Sequence, residues 1–225
     1  EAKKPSDLPK LIEVLVQISK EDPSIKIEIN QETGEHLMSG MGELHLEIIE
    51  NRIVKEKGVE ISTTPPVVVY RETITKPSTE DGEGKSPNKH NRLYFKVEPL
   101  SPEVTEAIRE GKVPKGRVKK KDNDVWKAFQ DLGWDAKTAR NVKEIFDGNV
   151  LMDETRGIVQ IGEIMEMVMD MFEDVMMKGP LANEPCLGVK VTLVDAKLHE
   201  DAIHRGPAQM YPAVRDGIRA AMRTS

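Results

Sequence analysis

The 225-residue chain carries a formal net charge of −6, with 38% hydrophobic and only 4% aromatic residues. This length accommodates one large or two small domains, whose cores must be built mainly from aliphatic side chains and methionine. A single cysteine, Cys186, excludes a disulfide framework and fits a reducing compartment. No apolar run reaches the roughly 18 residues of a membrane helix, and the N-terminus lacks a signal-peptide pattern. We therefore expect a soluble, cytoplasmic protein.

The first 66 residues follow the order helix, strand, strand, helix, strand. Apolar periodicity predicts helices over 11–18 and 44–54, strands at 26–29, 36–38 and 59–61, and a hairpin turn at 32–35. This is the order of a ferredoxin-like βαββαβ domain whose first strand is missing. Because the chain also begins at Glu1, we expect a piece of a longer protein. Consecutive prolines, Pro65 and Pro66, predict the boundary of this domain at residue 66.

Residues 67–225 predict a second α+β domain. Its expected elements are a strand at 67–74, a polar loop at 75–92, a strand at 93–98, an interrupted helical region at 101–147, a helix near 159–178, a strand at 186–193 and a last helix opened by Pro212. The methionines of the long helix follow helical spacing, which favours a core role over a binding groove. Arg215, Arg219 and Arg223 form a stripe that is either solvated or in contact with an RNA backbone.

Local charge differs from the total. Residues 85–92 hold three basic side chains and no acid, and residues 112–121 hold six basic side chains and no acid. Affinity for phosphate depends on such local charge, although a basic segment is more often a solvated loop. The total of −6 therefore does not exclude RNA as a partner.

The run at 198–209, LHEDAIHRGPAQ, gathers two histidines, two carboxylates and an arginine. A zinc-binding helix needs histidines four residues apart, whereas His199 and His204 are five apart, about 140° around a helix. On a strand the same offset places them on opposite faces. The spacing argues against a metal site, and it leaves open an exposed polar turn closed by Gly206-Pro207 or a loop that contacts nucleic acid.

Three segments resemble signatures of archaeal-type translation elongation factor 2. Residues 199–209 resemble the loop that carries the histidine modified to diphthamide, with Pro207-Ala208 in the archaeal form. Residues 39–47, SGMGELHLE, resemble the signature of the factor's third domain, and residues 86–92, SPNKHNR, resemble a second tip loop of its fourth domain. The three matches keep the family's order and span most of the chain.

The resemblance implies that residues 1–66 form the third domain and residues 67–225 the fourth, a βα sandwich like domain 2 of ribosomal protein S5. It makes His204 the diphthamide position. The residues that it implies as RNA contacts at the decoding site are His199, Asp201, Arg205, Lys89, His90, Asn91 and Arg92.

The same resemblance implies a role in GTP-driven translocation, in which the fourth domain mimics the anticodon arm of a tRNA and follows tRNA and mRNA. The implied partners are the ribosome with its rRNA, tRNA and mRNA, the diphthamide-synthesis enzymes, and the remaining domains of the factor. The chain itself is expected to be monomeric. GTP and magnesium would belong to a GTPase domain outside this sequence, so no cofactor is expected here.

No catalytic or metal-binding residue is predicted. The sequence has no Gly-x-x-x-x-Gly-Lys-Ser/Thr phosphate loop, and Gly40-Met41-Gly42 leads into an acidic helix. Cys186, in an apolar strand, is expected to be buried and inert. Two alternatives remain: a paralogous GTPase of ribosome maturation or splicing, and a metal-dependent hydrolase using His199, His204 and a carboxylate.

Overall fold

The computed structural model describes residues 1–29, 36–66, 70–119 and 122–225. The chain forms two compact units, Glu1–Val69 and Tyr70–Ser225, called here the N-terminal and C-terminal units. Both mix helices with β-structure, and the molecule contains a two-stranded and a six-stranded sheet. Within the described ranges, no helix has the length and apolar character needed to cross a membrane.

The N-terminal unit begins with a 3-10 turn, Pro5–Asp7, and contains α1 (Leu8–Glu21), β1 (Lys26–Ile29), β2 (His36–Ser39) and α2 (Glu43–Asn51), which continues as a π-helical turn, Arg52–Glu56. The two strands pair antiparallel, and the buried face of α1 packs against apolar residues of α2 and the π-helical turn. The predicted helices and first two strands are thus confirmed. The strand predicted at 59–61 is only a single bridge between Ala2 and Ile61, and the turn predicted at 32–35 lies outside the described residues.

The signature at 39–47 has a visible structural role through His45. Its Nδ1 accepts a hydrogen bond from the backbone N–H of Met41 at 3.2 Å, and its Nε2 lies 3.0 Å from Asp22 Oδ2. Asp22 also accepts two hydrogen bonds from Ser24, which lower the pKa of the carboxyl below its usual range. His45 therefore joins the end of α1 to the start of α2.

The C-terminal unit holds β3 (Gly82–Lys85), β4 (Arg92–Pro99), α3 (Pro102–Arg109), β5 (Gly116–Arg117), α4 (Asn123–Asp131), α5 (Ala136–Arg140), β6 (Val142–Phe146), β7 (Asn149–Asp153), α6 (Ile161–Met177), β8 (Val189–Lys197), a 3-10 turn (Ala202–Arg205) and α7 (Pro207–Met222). The strand order is β3-β4-β8-β7-β6-β5. All neighbours are antiparallel except β7 and β8, which are parallel.

Helices cover both faces of this sheet. Helices α6 and α7 pack on β4, β7 and β8, while α3, α4 and α5 pack on the opposite face of β6 and β7. The alternation of side chains along β7 produces this division, because Leu151 enters the first core and its neighbours Val150 and Met152 enter the second. The core role predicted for the apolar face of the long helix is confirmed by the complete burial of Ile164, Val168, Phe172, Val175 and Met176.

Several predicted elements are corrected by the structure. The helical prediction at 101–147 is wrong at its end, where β6 forms, and the polar loop at 75–92 contains β3. Of the strand predicted at 67–74, residues 67–69 lie outside the described ranges and the rest contributes one parallel bridge, Glu72 with Cys186. The last helix begins at Pro207 and runs through Pro212, although proline removes one backbone hydrogen bond there.

Two glycines of β3 allow α7 to lie directly on the strand. A Cβ at Gly82 would stand 2.1 Å from the carbonyl oxygen of Gly217, and a Cβ at Gly84 would stand 1.7 Å from that of Ala213. Both obstacles are backbone atoms, which cannot move aside as a flexible side chain can. The close approach of β3 and α7 therefore requires glycine in β3.

We expect Gly84→Ala to reduce the free energy of unfolding by about 2 kcal/mol or more, because the strand and helix must separate. Chemical denaturation followed by tryptophan fluorescence measures this effect, since both tryptophans, Trp126 and Trp134, lie in the C-terminal unit. Gly162→Ala is the matched control, because a Cβ at this α6 position meets no atom within 4 Å. Equal stability of the two variants would contradict the packing argument.

A buried carboxyl group, Glu144 of β6, lies beside an arginine and several acids. Arg117 of β5 places its Nε 3.4 Å from Glu144 and its two terminal nitrogens 2.5 Å from Glu166 and Asp170. Burial, reinforced by the neighbouring carboxylate of Glu173, raises the pKa of Glu144 to about 8. Arg117 acts against this rise, and its own pKa is raised, chiefly by the hydrogen bond to Asp170.

We expect Glu144→Gln to stabilise the C-terminal unit at alkaline pH. Folded Glu144 keeps its proton up to about pH 8, whereas an unfolded glutamate loses it near 4.5. The folded state therefore binds more protons in this window, and the free energy of unfolding falls as the pH rises through it. The amide mimics the protonated acid. Above about pH 8 the free energy of unfolding of the variant should therefore exceed that of the native chain by at least about 1 kcal/mol, and below pH 4.5 the two should be equal. Denaturation at several pH values measures this, with the exposed Glu154→Gln as control; parallel pH profiles would contradict the prediction.

Candidate nucleic-acid interface

Two loops leave the same end of the six-stranded sheet. The first, residues 86–92, joins β3 to β4 and is called the asparagine loop; the second, residues 198–206, joins β8 to α7 and is called the histidine loop. Arg92 pairs with Lys85 on one side and with Lys197 on the other. Because these are the strand residues next to the loops, the sheet register brings the two loops side by side.

Three histidine rings meet where these loops touch. The ring centroids of His199 and His204 lie 4.4 Å apart in an edge-to-face arrangement. The ring of His90, from the asparagine loop, lies 5.1 Å from His199 and 4.9 Å from His204. The structure therefore brings together the predicted diphthamide position, His204, and two of the predicted contact residues, although His90 lies more than 100 positions from the other two in the sequence.

A fully buried side chain, Asn91, fastens the two loops together. Its Nδ2 donates to the carbonyl oxygen of His204 at 2.7 Å, and its Oδ1 accepts from the backbone N–H of His199 at 3.0 Å. Asn88 adds a second link, because its Nδ2 donates to the same His204 carbonyl at 3.2 Å and its backbone N–H donates to Gln209 at 2.9 Å. The amide groups thus fix the backbone on both sides of the histidine loop.

The buried side chain of Arg205, which is only 4% exposed, links the histidine loop to α6. Its Nη1 donates to the carbonyl oxygens of His199 and Glu200, and its Nη2 forms an ion pair with Glu163 of α6. A buried guanidinium with these partners anchors the loop to the long helix.

The outer part of the histidine loop is a short 3-10 turn. Asp201 caps this turn by accepting from the backbone N–H of Ile203 at 3.2 Å, and its own N–H donates to His199 Nδ1 at 3.0 Å. Since Nδ1 accepts, a neutral His199 in this arrangement carries its hydrogen on Nε2. Ile203 is 76% exposed, so the turn is the outermost part of the loop.

The predicted site residues with accessible side chains differ in whether they already have a charged partner. His90 and Lys89 are exposed and His199 and His204 are half-buried, so all four can reach a ligand. Arg92 is exposed but pairs with Glu83 at 3.1 Å.

Two of the predicted contacts, Arg205 and Asn91, have buried side chains that bond to the loops, which favours a positioning role over direct RNA contact. The predicted arginine stripe is also interrupted, since Arg215 pairs with Asp216 and Arg219 donates to the carbonyl oxygen of Lys178.

Sequence reasoning missed three residues that support the site, Glu163, Asn88 and Gln209. Glu163 lies about 40 positions before its partner and carries no local signal of that pairing. Asn88 and Gln209 lie within the two loop motifs, but the motifs do not indicate that these two residues bond to each other. Among the described residues, no group of three or more His, Cys, Asp or Glu side chains is arranged to hold a metal ion.

Two family models cover most of the chain. The model described as elongation factor G, domain IV, matches residues 111–225, and the model described as elongation factor G, domain III, matches residues 1–65. The chain belongs to the elongation factor G family. The fold is consistent with these two domains, which occur here in the same order.

Similar proteins are named elongation factor 2 and come from archaea. The chain is 57% identical over 222 residues to that of Methanococcoides methylutens, 55% identical over 226 residues to that of Methanocaldococcus jannaschii, and 52% identical over 222 residues to that of Pyrococcus furiosus. Each match covers 99% of this chain and 30% or 31% of the relative. The chain therefore spans about a third of the length of these relatives.

We expect Asn91→Asp to remove the hydrogen bond to the histidine loop at His204 and to keep the one at His199. The new carboxylate still accepts from His199 N–H, but it repels the His204 carbonyl to which Asn91 donates. Removal of a buried donor and burial of a charge should reduce the free energy of unfolding by about 1–3 kcal/mol. Hydrogen exchange should show faster exchange at residues 203–206. Asn123→Asp, at an exposed position, is the control, and unchanged exchange in the Asn91 variant would contradict the positioning role.

Proposed function

We propose that this chain is the part of an elongation factor that enters the decoding region of the ribosome and follows tRNA and mRNA during GTP-driven translocation. The observation that carries the proposal is the cluster of His90, His199 and His204, whose loops are held by buried hydrogen bonds at one end of the C-terminal unit. Family membership supports it, because relatives that match 99% of the chain are named elongation factor 2.

The geometry of the cluster suits contact with RNA. Exposed imidazole and ammonium groups can donate to phosphate oxygens, 2′-hydroxyls and base edges, and loops on a fixed sheet present such groups without large ordering costs. His90 and Lys89 stand on one loop and His199 and His204 on the other, so the surface has donors on both sides. We assign direct contact to these four residues, with Asp201 shaping the outer turn.

Charge explains why a modification would matter at His204. Between Asp195 and Arg205 the sequence has three acids and two basic residues, a balance of −1 when the histidines are neutral. One of those two bases, Arg205, is buried in its ion pair with Glu163. Diphthamide on His204 would add a long arm with a permanent positive charge. This charge would allow a surface with a net negative balance to attract RNA. We therefore propose that His204 is the substrate of the diphthamide-synthesis enzymes.

The N-terminal unit would act with the parts of the factor that lie outside this sequence. We place the domain boundary after residue 66 and describe residues 1–66 as a ferredoxin-like third domain and residues 67–225 as a fourth domain like domain 2 of ribosomal protein S5. Met41 and Leu44 are 81% and 70% exposed, and such apolar side chains suit an interface with the other domains. GTP and magnesium would bind in the GTPase domain of the complete cytoplasmic factor.

Mass spectrometry of peptides from the natively expressed protein tests the modification. We expect a mass increase matching diphthamide on His204 and an unmodified His199, five positions away in the same peptide region. Fragment ions that separate the two histidines provide the internal control. An unmodified His204 would contradict the assignment and favour the paralogous GTPase of ribosome maturation or splicing.

Translation by the complete factor, with His204 modified or unmodified, tests the mechanism itself. The permanent charge should strengthen contact with the moving RNA, so the unmodified factor should shift reading frame more often at equal GTP hydrolysis. A frameshift reporter measures this directly. Equal reading-frame accuracy of the two forms would overturn the charge argument while leaving the family membership intact.

A further inference from the structure

An acid-rich contact joins helix α6 to the edge of the six-stranded sheet. Glu166, Asp170 and Glu173 of α6 follow one another at intervals of four and three residues, so their side chains share one face of the helix. This face meets Arg117 of β5 and Glu144 of β6, which are register partners in the sheet. Four carboxyl groups thus surround one guanidinium group.

The charges of this contact do not balance when every group is ionised. Arg117 lies 2.5 Å from Glu166 and from Asp170, and 3.4 Å from Glu144 and from Glu173. Four negative charges and one positive charge leave a balance of −3. Among the described residues, no other lysine or arginine nitrogen lies within 4.0 Å of these four carboxyl groups. Arg117 alone therefore cannot neutralise the acids around it.

The elements that adjoin the contact add hydrogen bonds or apolar groups instead of charge. Tyr211 of α7 donates a neutral hydrogen bond to Asp170 at 2.9 Å. Leu151 of β7 is the register partner of Glu144 and is apolar. Lys143, which precedes Glu144 in β6, lies 3.8 Å from Asp153 and is thus paired elsewhere.

Glu144 is the buried member of the contact, with only 1% of its side chain exposed. Its Oε2 is buried and has no hydrogen-bond partner. The carboxyl group of Glu173 nevertheless lies within side-chain hydrogen-bonding reach of Glu144. Ionised carboxylates only accept hydrogen bonds, so two of them bond to each other only when one carries a proton. A proton between Glu144 and Glu173 would supply the missing donor and remove one of the excess negative charges.

Burial explains why this proton stays in place. An ionised carboxylate loses its hydration when it is buried, and only a close cation offsets the cost. Glu166, which is 71% exposed, keeps water around it and binds Arg117 at 2.5 Å. Glu144 has neither advantage, since it is buried and Arg117 lies farther away. Burial accordingly raises the pKa of Glu144 to about 8, with Glu173 as the second cause and Arg117 acting against both.

We infer that Glu144 and Glu173 share one proton, and that the resulting carboxyl–carboxylate hydrogen bond is a pH-sensitive contact between β6 and α6. Loss of the proton places two negative charges side by side at a buried position. Arg117, which already binds Glu166 and Asp170, does not offset both of them. The edge of the sheet is then held less firmly on α6. The inference is independent of the proposed function, because it uses no group of the histidine cluster.

The test follows the carboxyl carbon of Glu144 by NMR in the full 225-residue chain, labelled with ¹³C in its glutamate side chains. The resonance is assigned by its loss in Glu144→Gln. In the native chain it should titrate near pH 8. In Glu173→Gln it should titrate at least about one pH unit lower, because the like charge is gone and the amide donates to the ionised Glu144. An unchanged titration of Glu144 would mean that burial alone holds the proton, and would overturn the inference.

Denaturation of the same variants over a range of pH gives a second measurement. While folded Glu144 is protonated and unfolded Glu144 is ionised, the equilibrium constant of unfolding rises about tenfold with each pH unit. Because this rise ends at a lower pH in Glu173→Gln, the total increase should be at least about tenfold smaller than in the native chain. The direction follows from the sign of the shift, since a raised pKa in the folded state makes stability fall as the pH rises.

The matched control is Asp174→Asn, which removes one negative charge from the next position of α6, about 100° around the helix from Glu173. Glu144 should titrate in this variant as it does in the native chain. An equal effect of Asp174→Asn and Glu173→Gln would attribute the shift to the overall charge of α6 and overturn the shared proton. None of these outcomes bears on the modification of His204, so this inference and the proposed function fail separately.

Discussion

One buried carboxamide group determines the geometry of the candidate interface. Asn91 is fully buried, donates to the carbonyl of His204 and accepts from the N–H of His199, so the same side chain fixes both ends of the histidine loop. An amide can do this without charge, whereas a carboxylate could not donate and an ammonium could not accept. The centroids of the three imidazole rings lie 4.4–5.1 Å from one another, and the Asn91 side chain that links the two loops adds no charge beside them.

Helix α6 supplies acids that pair with arginines of other elements. Glu163 binds Arg205 at the histidine loop, and Asp170 binds Arg117 at the edge strand. Tyr211 of α7 donates a further hydrogen bond to Asp170 at 2.9 Å. These acids of α6 thus link the helix to β5, to α7 and to the histidine loop.

The sequence predicted the elements whose periodicity is unambiguous, such as α1, α6, β4 and the paired strands β1 and β2. It failed at β6 and β7, because β7 is buried at four of its five positions and β6 contains a buried glutamate, so neither alternates as a half-exposed strand does. The motifs located the histidine loop, but the burial of Asn91 and Arg205 depends on contacts with distant segments. Residue type alone cannot distinguish an arginine that contacts RNA from one that anchors a loop.

Rigid support has a particular consequence for a modified histidine. A long arm attached to His204 samples positions set by the direction of its ring, and that direction is limited by His90, His199 and the backbone bonds to Asn88 and Asn91. With a mobile loop, the added charge would be spread over many positions and would discriminate poorly between correctly and incorrectly placed RNA. With a fixed loop, the flexibility lies in the arm alone. If His204 carries the proposed modification, the amides of Asn88 and Asn91 would therefore help to direct the added charge.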